Sequence, residues 1–466
     1  MHARHGDRNG PKLRMMRRAT PKSRTMNTTD ALTELVSWLF EENPTDSPAI
    51  EQRARMLFLD TLGCMIAGLA KPEPQALVKS LSRLESGPIL LPGTSASISV
   101  NAAAYVTGMA ASWDEACEGL PRAHGRPGLH SFAAGFPLAL ARDHSLGELL
   151  AALVAGYEVA GRLGEALRIR PGMHVDGTWG TFGAVTAAAR LLGLTPSATV
   201  SAIQGAACHL PWSLYLPIAH GANVRNAYIG DAAVRGIMHA IATEAGITTP
   251  PNAIETYDEL SLGGDPTGKT LAPSGEWLIE QGYLKPFAAV RHVHYGAQAA
   301  FIWHQSHGQN GTEDIRALNL FIYAEAITYC SNRSPVTPIQ AQFSLSYGIA
   351  WALVTGDLAP DAYDVAALNH PEVRRLEALV TITEDPALSN ESRRAARLIV
   401  ETSGDSETIL ADSVPGEPEY PLSDSFVEGK FVDYATPNIG ANRASAIVSA
   451  LRQATLALSV KEIVSA

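Results

Sequence analysis

Four cysteines in 466 residues, Cys64, Cys117, Cys208 and Cys330, stand far apart and form no Cys-x-x-Cys pair. That spacing offers no zinc framework and suits reduced thiols in a cytoplasmic protein. Positive charge is scarce as well: 36 Lys and Arg face 47 Asp and Glu, a formal net charge of −11. Nucleic-acid binding rests on clustered Lys and Arg, so it is not expected. No apolar run is long enough to span a bilayer, which removes a membrane partner. The zinc-binding His-Glu-x-x-His, the Gly-x-Ser-x-Gly elbow and a Gly-x-Gly-x-x-Gly leading into a helix are all missing. Internal repeats are missing too. What remains is 46% hydrophobic and 18% charged, the composition of a globular chain. At this length one core usually stops growing, so two domains are expected.

Residues 1–26 are basic, almost free of acid and without an apolar face or a secretory h-region. They read as a disordered tail: an Arg-rich transit peptide, or residues ahead of a true start at Met26. From Thr28 the pattern is helical. Thr29-Asp30 can cap a helix carrying Leu32, Leu35, Val36 and Leu39, and Ala54–Leu69 is apolar nearly all round. Val100–Trp113, Leu146–Leu167, Pro196–Cys208 and Ala232–Ala245 continue the series. An all-helical domain over residues 27–275 follows. Beyond Ile279 the segments Ile315–Tyr323, Glu377–Thr383, Ala396–Thr402 and Glu407–Leu410 predict strands, with a helix over Ser344–Val354. This marks a smaller α+β domain over residues 276–416. Past Pro415, residues 417–466 return to helical periodicity.

One literal motif fails on context. Residues 263–270 match the phosphate-cradling pattern Gly-x4-Gly-Lys-Thr, which works only between a buried strand and a helix. The preceding Glu255–Leu262 is too polar for such a strand, and Pro273 and Gly275 interrupt the helix. A surface loop is expected.

The most informative stretch is Gly172–Leu194. His174 sits in a glycine-broken loop, Gly177, Gly180 and Gly183 recur every third residue, and an alanine-rich helix follows. Such a helix admits close neighbours, and its positive end suits a carboxylate beside His174. Asp114 and Glu118 are four apart and would share a face if their segment were helical. The loop after them carries His124 and leads to His130 at the mouth of an apolar helix. Arg225 precedes another small-residue helix. Lys285, Arg291, His292 and His294 lie close together, and His292-x-His294 lacks a third ligand at metal spacing, so no metal is expected. Imidazoles, fixed cations and a paired carboxylate together suit proton transfer next to a carboxylate without a cofactor.

Several blocks, in order, resemble the MmgE/PrpD family, whose members include 2-methylcitrate dehydratase, cis-aconitate decarboxylase and iminodisuccinate epimerase. They are ARMLFLDTLGCMIAG, GMHVDGTWGTFGAVTAAARLLGL, GDAAVRGIMHAIATEAGITTP, KPFAAVRHVH and SPVTPIQAQFSLSYGIAWALVTGDL. The resemblance runs from about Leu32 to the C-terminus. It implies a mainly α protein in which a large helical domain, joined by the last helices, carries an inserted smaller α+β domain. It also implies a homodimer, no cofactor, and a site in the cleft between domains. Carried over by motif, the catalytic positions are Asp114, His130, His174 and Lys285. Glu118, Arg225, Arg291 and His294 would contact the substrate. Ala111 and Ala116 stand where the family has His and Asp, Arg225 where it has Lys, Val290 where it usually has Cys, and Asp176 where it often has Thr.

The expectation is a lyase acting on a small di- or tricarboxylic acid, dehydration first, with decarboxylation or epimerisation on the same scaffold as alternatives. Arg225, Lys285 and Arg291 would hold carboxylates, and His130 or His174 would move the proton. Asp114 would orient the partner histidine, and Glu118 would meet the departing hydroxyl. An inactive carboxylate binder is the reading from a different class, prompted by Ala111 and Ala116.

Overall fold

The computed structural model describes residues 27–264, 271, 273–389 and 394–466. The basic tail lies outside them, as do residues 265–270 of the rejected phosphate motif. Eight helices build the first half: α1 Thr28–Glu41, α2 Pro48–Leu69, α3 Pro72–Leu84, α4 Val100–Ala111, α5 Pro127–Arg142, α6 Leu146–Ala166, α7 Gly180–Leu191 and α8 Pro196–Ala207. The helix Ala227–Glu244 completes the bundle. Caps set several of the starts. Asn27 accepts the Asp30 N–H, Thr195 accepts that of Ala198, and Ser145 with Glu148 forms a capping box at α6.

Helix α7 is the hub, packing on α5, α6 and Ala227–Glu244. Its small residues make this close approach work. A Cβ on Gly183 would lie 2.8 Å from the Gly156 carbonyl oxygen on α6, and one on Gly180 would lie 2.4 Å from the His130 ring on α5. The expected close packing of this helix is what the structure has.

The sheet has the order β2-β1-β3-β4, from β1 Ile315–Ile322, β2 Val380–Glu384, β3 Ala396–Thr402 and β4 Ser406–Ala411. β1 runs parallel to β2 and antiparallel to β3, which pairs antiparallel with β4. Helix Arg291–His307 packs on β3 and β4 and against Leu345–Thr355. One expected strand begins late. Residues 377–379 close the helix Pro371–Leu379, where buried Glu377 takes a 2.6 Å bond from Arg374 one turn earlier. Helix Asp424–Ile439 then packs along α2. One apolar core runs continuously from Leu32 to Val464, and no described helix is long and apolar enough to cross a membrane.

Candidate active site

Helix α4 stops at Ala111, so Asp114 and Glu118 do not share a helix face. The chain turns instead, with Glu115 in the left-handed region at φ 54°. Gly119 then pairs with Tyr283 through two backbone hydrogen bonds of 2.8 and 3.1 Å. A non-glycine residue held at positive φ is strained and persists only where its surroundings insist. Here they do: the Gly119–Tyr283 bridge draws Lys285 under the turn. Its ammonium donates to the Glu115 carbonyl at 2.7 Å and to Glu115 Oε1 at 3.2 Å.

Glu115 is the centre of a buried ionic cluster. Arg126, which caps α5, donates to Glu115 Oε2 at 3.1 Å and grips both oxygens of Asp176. Arg225 pairs with Glu115, lies 3.6 Å from Asp176, and donates to the Ser112 carbonyl at 3.2 Å. Burial alone would raise the pKa of both carboxylates, but Arg126, Arg225 and their other cationic neighbours hold Glu115 and Asp176 well below the usual range. Both acids therefore stay ionised at any working pH.

These residues line a cavity of about 300 Å³ whose walls come from the helical half and from the segments after Tyr283. His174 lines it too. Its Nδ1 accepts the Asp176 N–H at 3.0 Å, so the ring proton resides on Nε2. Burial, with Arg225 and Arg126 nearby, pushes its pKa down to about 4, leaving a neutral imidazole. Burial likewise lowers the Lys285 pKa, against the pull of Glu115. Across the cavity Arg291 is already engaged by Glu417 and lies 3.9 Å above the Tyr283 ring.

Four expected site residues thus line one cavity: His174, Lys285, Arg225 and Arg291. The other four stand outside its lining. Asp114 is buried 3.9 Å from Lys71, and desolvation raises its pKa to about 6. Glu118 accepts the Leu129 N–H at 3.0 Å, and burial raises it to about 8. His294 bonds the Ala289 carbonyl at 3.0 Å and packs edge-on against Phe287. His130 is fully buried; its Nδ1 donates to the Arg126 carbonyl at 2.8 Å and its Nε2 accepts the Gly177 N–H at 3.1 Å. It holds the Arg126 turn and the His174 loop together rather than facing the cavity. The anticipated carboxylate seat at the start of α7 is also partly occupied. The N–H groups of Gly177, Thr181 and Phe182 are taken by His130, Thr178 and Trp179.

Sequence reasoning passed over Glu115 and Arg126 as site residues and met Asp176 only as a departure. The signal that singles them out is their convergence, which no spacing encodes. Lys430 was missed as well. From helix Asp424–Ile439 it bonds Asp60 on α2 at 2.7 Å and the carbonyls of Ala116 and Lys285 at 2.8 Å, pinning the Glu115 turn to Lys285. Among the described residues no group of three His, Cys, Asp or Glu side chains could hold a metal ion.

Known proteins place the architecture. The chain is similar to the cis-aconitate decarboxylase-like protein oryM of Aspergillus oryzae, 25% identical over 93% of this chain and 96% of that one. It is 25% identical to human cis-aconitate decarboxylase over 82% of each. It is 24% identical to the 2-methylcitrate dehydratase of Cupriavidus necator over 95% and 96%. Residues 33–261 match the MmgE/PrpD N-terminal domain and residues 287–453 the MmgE/PrpD C-terminal domain. With two matched domains in order and relatives named as dehydratase and decarboxylase along nearly the whole chain, the protein belongs to the MmgE/PrpD family.

Proposed function

We propose that this protein is a cofactor-independent lyase, dehydratase-like, that moves a proton next to the carboxylate of a small carboxylic acid. The observation that carries the reading is one cavity holding both a buried lysine of lowered pKa and a neutral imidazole with its N–H available on Nε2. Arg225 and Arg126 would orient the substrate carboxylate. Lys285 in its amine form takes the proton from the adjacent carbon, the carbon–oxygen bond breaks, and the departing hydroxide takes that proton and leaves as water. His174 donates a hydrogen bond to the carboxylate oxygen on which charge builds, as a neutral electrophile does.

Decarboxylation is the second reading, favoured by the same tautomer. It needs a donor and no base: the carbon–carbon bond breaks, carbon dioxide leaves, and the Lys285 ammonium protonates the carbanion. The names of the relatives support both chemistries. Proton NMR in D2O tests the reading, with 2-methylcitrate, citrate, cis-aconitate, itaconate, iminodisuccinate, tartrate and 3-hydroxybutyrate. Deuterium entering beside a carboxylate, with water or carbon dioxide lost, is expected for at least one. No exchange with any of them, by protein that binds them, turns the assignment to an inactive carboxylate binder.

A further inference from the structure

The cations of the cavity are not free to meet a highly charged substrate. Three of them, Arg126, Arg225 and Lys285, face two permanently ionised carboxylates, Glu115 and Asp176, at ion-pair distance. At most one unit of positive charge is left in the inner cluster, and that only while Lys285 is an ammonium. Opposite it, Arg291 is paired with Glu417, and Arg394 lies 3.1 Å from Glu325. The remaining lining arginine, Arg168, is exposed. His174 is buried and His292 half-buried, and both are neutral, the latter brought down to about 3 by desolvation and by Arg394. Much of the other wall is apolar: Leu120, Leu167, Ile169, Met173 and Val175.

A second and third substrate carboxylate would each lose water without gaining a buried, uncompensated cation, since Arg168 stands in solvent. Burying a charge without a compensating partner is costly. We infer that the pocket selects a small acid with one buried carboxylate and an otherwise uncharged, largely apolar body. Glu115 and Asp176 serve as built-in counter-anions that exclude tricarboxylates. This rests on the carboxylate-lyase reading and narrows its substrate class. Glu115 and Asp176 occupy the places where a more anionic substrate would put its own oxygens.

Calorimetric binding of three six-carbon probes, hexanoate, adipate and propane-1,2,3-tricarboxylate, at fixed ionic strength tests it. Affinity is expected to fall with each added carboxylate, leaving the tricarboxylate weaker than hexanoate by about tenfold or more. Glu115→Gln removes one counter-anion at constant shape and is expected to shift that ratio toward the tricarboxylate by about tenfold. Where this variant fails to give a folded melting profile, Asp176→Asn is measured in its place with the same expectation. Equal or tighter binding of the tricarboxylate by the unaltered protein overturns the inference while leaving the lyase reading in place. An unchanged ratio in a folded variant also overturns it. Binding of none of the three overturns the carboxylate reading itself, which the deuterium experiment checks independently.

Discussion

In the proposed reaction Lys285 carries the proton. Substitution by Ala removes both the proton carrier and the cation under Glu115. Turnover of the true substrate is expected to drop by about 10²–10⁴-fold, the usual yield of a positioned acid or base. His174→Gln keeps a donor but not the imidazole, so a smaller loss in kcat than Lys285→Ala is the expected result of steady-state kinetics. Glu118 makes a separate prediction about stability. Burial raises its folded pKa to about 8, above the ordinary value of about 4.3 in the unfolded chain. A raised folded pKa favours the native state at low pH, and that contribution is lost as pH rises from the unfolded value through about 8. Glu118→Gln cannot ionise. Denaturant titrations between pH 5 and pH 8 are therefore expected to show a shallower fall in stability than the native protein, by on the order of 1–3 kcal/mol. Parallel curves for the two proteins would show that Glu118 ionises freely in the fold.

At the scale of the element, α7 explains why glycine is required where it is. Gly180 has no unusual backbone angle; its requirement is steric, because the His130 ring fills the space a methyl would need. Gly180→Ala is expected to destabilise the fold by about 1–3 kcal/mol through overpacking, and also to loosen the Arg126 and Gly177 contacts of His130. A thermal melt reads the first effect and a raised KM the second. The helix periods of the first half, three of the four strand positions and the glycine spacing of α7 were legible, since they depend on residues near in sequence. The strand expected from Glu377 starts instead at Val380. The end of α4 was not. An Asp-Glu-Ala-Cys-Glu run is compatible with helix, and only the Gly119–Tyr283 pairing and the ion pairs to Glu115 hold the turn with its residue at positive φ.

Across the whole molecule, the helix Asp424–Ile439 buttresses the site from behind. Lys430 is buried and bonded to Asp60, and burial without that partner would oppose its charge. Lys430→Ala leaves Asp60 uncompensated and is expected to cost about 3–5 kcal/mol, whereas Lys430→Met combined with Asp60→Leu recovers most of it. Chemical denaturation of the single and double variants checks both. An equal loss in the two would mean that the carbonyl contacts of Lys430, not its charge pairing, are what matter. The family resemblance further predicts a homodimer, which light scattering should register as a particle of two chains.

The sequence by itself determined the helical and strand segments, the family blocks and four of the cavity residues, His174, Arg225, Lys285 and Arg291. These follow from periodicity and from motifs that keep their local order. Tertiary structure decided which charges meet. Glu115 and Arg126 lie at opposite ends of the α4–α5 connection and Asp176 in the loop before α7, and their ion pairs arise only when α5, α7 and the Tyr283 bridge close around one space. It also decided that Asp114, Glu118, His130 and His294 turn away from the cavity, because each finds its partner in a backbone group or in a residue distant in the chain. Side-chain direction at a site is set by packing between elements, and packing has no period to read.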